Sequence, residues 1–127
     1  MEPNEALAEL LHLSSQIEDV AIVGGSGFVL AASGAPERGE QLARVASELL
    51  AAAGDVRPSV DVSRIEVSLG ATSVFVVAEG GRLAVATTVA ESTAGLVVYD
   101  LRTALRRLDE EPAPTSARNK KKGTADA

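Results

Sequence analysis

Hydrophobic positions switch spacing several times along this chain, and each switch marks an element. In the opening stretch Leu7, Leu10, Leu11, Ser14 and Ile17 fall at helical spacing, with Asn4 after Pro3 as the expected N-cap. A first helix is predicted over residues 5–17. The segment DVAIVGGSGFVLAAS then sets two β-rich runs, Val20–Val23 and Phe28–Ala32, on either side of Gly24, Gly25, Ser26 and Gly27, a hairpin pattern. After SGAPERG, a second helix is expected over 40–53. Its apolar stripe is Leu42, Val45, Ala46, Leu49, Leu50 and Ala53, and Gly54 closes it.

Beyond Pro58 the period drops to two. Ile65, Val67 and Leu69 alternate with Arg64, Glu66 and Ser68, as in a strand with one buried face. Ser73–Ala78 is more uniformly apolar, as in a strand covered on both faces. Glu79, Gly80 and Gly81 then turn the chain into a third run, Leu83–Thr88. Ser92 or Thr93 caps a last helix, whose Ala94, Val97, Val98, Leu101, Ala104, Leu105 and Leu108 form a long stripe with Arg106 and Arg107 at its C-terminal end. The order helix, two strands, helix, three strands, helix describes an α/β domain, an α+β sandwich in which helices cover a small sheet.

Composition narrows this picture. A chain of 127 residues that is 46% hydrophobic builds one core, so one domain is expected over residues 1–110. Aromatics are limited to Phe28, Phe75 and Tyr99, which leaves a core of Val, Leu, Ile and Ala that packs closely and disfavours large internal pockets. The net charge of −6 hides a division: residues 1–111 carry 17 acidic and 8 basic side chains, residues 112–127 one acidic and four basic. An acidic body repels phosphate backbones, so no nucleic-acid binding is expected of it. Residues 111–127, with Pro112, Pro114 and the run Lys120–Lys122, read as a disordered tail with a short basic run. The N-terminus lacks the basic region of an export signal, and no apolar run reaches the roughly 18–20 residues of a membrane span. A cytoplasmic protein is expected.

Candidate chemistry is sparse. The absence of cysteine removes thiol nucleophiles and zinc–thiolate sites. His12 is the sole histidine, on the side of its helix opposite the apolar stripe, and is expected at the surface. The glycines at 24, 25 and 27 lack the Gly-Lys-Ser/Thr ending of a phosphate loop and are followed by a strand rather than a helix, so a tight turn is the better reading. No serine or threonine has an identifiable base and no carboxylate pair has metal spacing; neither an enzyme nor a cofactor is expected.

Two features point to protein contacts instead. Ala43, Ser47, Ala51 and Gly54 form a stripe of small side chains on the flank of the second helix, where another backbone approaches closely. Arg64, Ile65, Glu66, Val67 and Ser68 read as a sheet edge, because the charged alternate positions point away from the core. Leu96 and Tyr99, off the stripe of the last helix, mark a further partner surface.

Taken together, the leucine-rich opening helix, the segment Val20–Ser33 with its turn glycine Gly27 and FVLAAS, the alanine-rich second helix and GLVVYDLRTALRRL from Gly95 to Leu108 resemble the roadblock/dynein light chain family, many of whose members are bacterial. The resemblance runs from about Ala6 to Leu108. Ser26 stands where the family often has an acidic residue. The resemblance implies a five-stranded antiparallel-type sheet with helix 2 on one face and helices 1 and 3 on the other. It further implies dimerisation through helix 2 and the third strand, with itself or a sibling roadblock domain, and a regulatory or scaffolding role for a Ras-like small GTPase. Arg38, Arg44, Arg57 and Arg64 are each conceivable arginine fingers for such a partner, with solvated surface arginine the plainer reading. The competing reading is a small-ligand sensor or general scaffold of profilin-like or PAS-like type, which needs a roomy cavity with convergent polar groups.

Overall fold

A computed structural model describes residues 1–110; the tail expected over 111–127, including Lys120–Lys122, lies outside the described residues. Eight elements follow in the expected order: α1 (Pro3–Leu13), β1 (Ile17–Val23), β2 (Val29–Ala32), α2 (Pro36–Val56), β3 (Arg64–Ser68), β4 (Thr72–Glu79), β5 (Arg82–Val89) and α3 (Ala94–Arg107). The strands form one sheet in the order β2-β1-β5-β4-β3, and every neighbouring pair is antiparallel.

Both of the first two helices are bounded differently from the sequence expectation, for local reasons. Glu2, not Asn4, caps α1: the Glu2 backbone N–H donates to Glu5 Oε1 at 3.1 Å in a reciprocal capping box, and Pro3 supplies the fixed φ favoured in a first turn. The helix stops at Leu13, and Ile17 opens β1, because the β-branched run Ile17–Val23 is taken up by pairing with β5 from Thr88 to Leu83. In α2, Pro36 starts the helix four residues before the expected Glu40. At its other end Gly54 lies inside the last turn rather than closing it, so the helix has 21 residues.

The two faces of the sheet carry separate cores. On one, α1 and α3 pack Leu7, Leu10, Val97, Leu101 and Leu105 against Val20, Ile22, Phe75 and Val77. On the other, α2 packs Leu42, Ala43 and Ala46 against Ala21, Val23, Val74, Val76 and Val85. Strand alternation produces this division: Phe75 and Val77 of β4 face one way, Val74 and Val76 the other. Each fully buried Val, Leu or Phe in these layers contributes roughly 1.5–3 kcal/mol of transfer free energy. Gly80 and Gly81 adopt positive φ of 63° and 78° between the paired residues Glu79 and Arg82, the geometry of a two-residue hairpin loop.

Ion pairs tie the α1/α3 layer down. Arg102 Nε lies 3.3 Å from Glu79 Oε1, Arg106 Nε donates to Glu79 Oε2, and Arg107 Nη1 reaches Glu9 Oε1 at 2.7 Å. Thr88, fully buried, donates to Ser92 Oγ at 3.1 Å and so joins the end of β5 to the lead-in of α3.

Candidate interaction surface

The sheet has two edges of different character. β2 is four residues long, and its pairing with β1 is interrupted by a register shift between Ile22 and Val23, which twists an edge away from further pairing. β3 pairs with β4 without interruption from Arg64 to Ser68. Leu69 N–H donates to Thr72 O at 2.7 Å, and Ser63 O accepts from Ala78 N–H at 2.9 Å. The odd-numbered residues therefore turn their backbone groups toward β4, and by alternation Arg64, Glu66 and Ser68 turn theirs outward. Arg64, Glu66 and Ser68 are exposed, Ile65 and Val67 half-buried on the α2 face. The edge expected from sequence is present and regular.

The small-residue stripe of α2 does not stay together as an accessible flank. Ala43 is buried in the α2 core, Ser47 and Ala51 are exposed, and Gly54 is half-buried with open space around it. Gly54 alone of the four lines a cleft with the lead-in to β3 and the end of β4, together with Leu50, Val60, Ser63 and Ala78. Arg38, Gln41, Leu42 and Val45 line a groove with Leu69, Thr72, Val74 and Thr87. Val45 and Ser47, two residues apart, are roughly 200° apart around the helix, so Ser47 lies well away from that groove. Val45, half-buried outside the core cluster, and Leu69, 61% exposed, are the apolar residues beside the β3 edge that the sequence reading assigned to other roles. Val45 falls on the expected core stripe because spacing cannot tell a helix's centre line from its margin.

The other positions singled out from the sequence are spread over several elements. Leu96 and Tyr99 are exposed on α3, with Leu13 of α1 also exposed; Phe28 is 73% exposed beside the β2 edge. His12 is exposed. Of the four arginines named as possible fingers, Arg38 is held in the fold by Asp19 (Nε–Oδ2, 3.2 Å) and Gln41 (Nη1–Oε1, 2.7 Å). Arg44, Arg57 and Arg64 make no ion pair among the described residues. Asp100 of α3, half-buried against α1, has its carboxyl pushed above the ordinary value by desolvation, an effect opposed by a hydrogen bond with the Ser14 side chain. The gap beside it, lined by Ala6, Glu9, Leu10, Leu13, Thr103, Ala104 and Arg107, has a volume of about 20 Å³, room for a water. No helix of the described residues is long and apolar enough to cross a membrane.

Neither a protein-family model nor a curated protein matches this sequence. Solved structures do match the fold. A roadblock/LC7 domain from Streptomyces avermitilis superposes with a TM-score of 0.73 at 20% identity, over 83% of this chain and 92% of that one. MglB from Myxococcus xanthus gives 0.69 at 16% identity, over 84% of each chain.

The chain has the roadblock/LC7 fold. Profilin IA of Acanthamoeba castellanii shares its outline at a TM-score of 0.56 and 18% identity, over 83% of this chain and 94% of that one. At these identities the likeness concerns architecture, and a roadblock fold by itself assigns no partner. In the roadblock fold as built here, α2 lies on one face, α1 and α3 on the other, and β3 is left at the rim beside the α2 groove.

Proposed function

We propose that this protein is a non-enzymatic, cytoplasmic adaptor that dimerises through β3 and the adjoining flank of α2, and that the joined surface binds a Ras-like small GTPase. The observation that carries the reading is the uninterrupted β3 edge next to half-buried Ile65, Val67 and Val45. Antiparallel pairing of β3 with β3 of a second copy satisfies the outward N–H and C=O groups of Arg64, Glu66 and Ser68. Under a two-fold axis perpendicular to the sheet, both α2 helices lie on the same side, and their Val45 flanks meet over the grooves.

Relative to the expected stripe of Ala43, Ser47, Ala51 and Gly54, this reading puts the helix contact at Val45. The GTPase partner is supported by the sequence resemblance to roadblock domains and by the fold shared with MglB. A fold neighbour described as MglB with a tetrameric arrangement is an assembly of such units, in keeping with a self-associating role. The aliphatic cores on both faces of the sheet favour the adaptor over a small-ligand sensor.

Light scattering on the purified chain tests the dimer, and affinity capture on the GDP- and GTP-loaded forms of a Ras-like protein from the same source tests the partner. A monomer at high concentration sinks the first part; a dimer that captures neither form sinks the second.

A further inference from the structure

The β3 edge carries two charges that face no counter-charge directly across the ladder in their own sheet. Across the ladder from β4, Arg64 stands opposite Val77 and Glu66 opposite Phe75, both buried apolar residues, and neither Arg64 nor Glu66 forms an ion pair among the described residues. A directly opposed cross-strand partner for either charge has to come from the open side of β3. We infer that this edge is self-complementary in a single register, in which Ile65 faces Ile65 of a second copy and Arg64 of each chain faces Glu66 of the other, so that β3 selects another copy of this same chain. The inference rests on the dimer reading above and specifies its register and its partner.

With α2 of both copies on the same side of a continuous sheet, directly opposed residues share a face, so the two-fold axis passes through a residue. An axis through Glu66 sets the two Glu66 carboxylates side by side, and one through Arg64 does the same with the two guanidinium groups. An axis through Val67 puts Glu66 opposite Ser68 and Arg64 opposite Gly70, leaving all four charges without a partner. An axis through Ile65 pairs all four. It also agrees with the backbone: Arg64 and Glu66 present outward N–H and C=O groups, so they form the hydrogen-bonded pairs, and Ile65 meets Ile65 in the closer, non-hydrogen-bonded position at a Cα separation of about 4.5 Å.

The chain contains no cysteine, so single-cysteine variants of the full chain report the register directly. A Cα separation of about 4.5 Å lies within disulfide reach, whereas a shift of the axis by one residue moves Ile65 to about 8 Å from its counterpart, out of reach. Oxidation of Ile65→Cys is expected to give a covalent dimer in high yield. Val67→Cys alone, and an equimolar mixture of Ile65→Cys with Val67→Cys, report the axes through Val67 and Glu66, and neither is expected to exceed the Ile65→Cys yield. In parallel, Arg64→Glu and Glu66→Arg each place like charges opposite one another and should weaken self-association about tenfold or more. Mixed in equal amounts, these two variants match every charge and should form a heterodimer near wild-type affinity. Preferential crosslinking at Val67 or in the mixed cysteine sample, or a charge-swapped mixture no tighter than its components, overturns the register while a dimeric wild type preserves the dimer reading. A monomeric wild type overturns the dimer reading and, with it, this inference.

Discussion

Gly39 of α2 rests so closely on Ala32 of β2 that a Cβ built at Gly39 would stand 2.6 Å from the Ala32 Cβ. This contact sets how near α2 lies to the sheet at its N-terminal end, in the stretch that borders the groove beside Val45. The neighbouring atom is a Cβ fixed to the backbone of a paired strand, so it cannot swing aside. Gly39→Ala gains up to about 1 kcal/mol of helix propensity but incurs an overpacking cost of about 1–3 kcal/mol. A net loss of about 1 kcal/mol, seen as a drop of roughly 4–8 °C in Tm, is expected; an unchanged or raised Tm would show that α2 lifts off freely.

Val45→Arg tests the placement of the helix contact. A charged side chain between two helix flanks leaves the monomer folded and should abolish dimerisation by light scattering, with Tm measured at low concentration nearly unchanged. Ala51→Arg, on the exposed side of the same helix, is expected to leave the dimer intact. Monomerisation by Ala51→Arg with tolerance of Val45→Arg would move the contact back to the small-residue side.

Asp100 makes the stability depend on pH in a stated direction. Its carboxyl is raised in the folded chain by desolvation, so between the unfolded and folded values the native state holds the extra proton, and stability falls as pH rises through the folded value. Asp100→Asn removes the ionised, half-buried group and keeps an acceptor for Ser14. It should raise Tm at neutral pH, with the gain shrinking as pH falls below the folded value. A variant less stable than wild type at neutral pH would show that the Ser14 interaction outweighs burial.

Two deletions separate packing from charge in the α1/α3 layer. Leu101 is fully buried, and Leu101→Ala should cost about 2–5 kcal/mol through lost contacts and a residual cavity. Glu79→Ala frees Arg102 and Arg106 but removes ion pairs that are partly solvated, so a loss of about 1 kcal/mol or less, reduced further by salt, is expected in chemical denaturation. Comparable losses from the two variants would count against this ranking.

Much of this was legible from residue spacing because the relevant forces are local. The alternation Arg64–Leu69 placed an edge strand, the stripe Val97–Leu105 placed α3, and Gly80–Gly81 placed a hairpin; each depends on a period of two or 3.6 or on a backbone conformation that glycine favours. Ile17 was not legible in the same way. It continues the helical spacing of Leu7 and Leu10, yet pairing with Thr88, more than seventy residues away, draws it into β1.

The sequence alone determined the order of elements, the aliphatic character of both cores and the presence of one charged strand with a polar side, since these follow from periodicity and composition. Only the tertiary structure decided which flank of α2 faces that strand. A helix's rotation over a sheet is set by contacts such as Gly39 on Ala32, made between residues whose closeness no local period records. It buried Ala43, left Val45 at the margin beside Leu69 and set apolar Val77 and Phe75 directly across from Arg64 and Glu66.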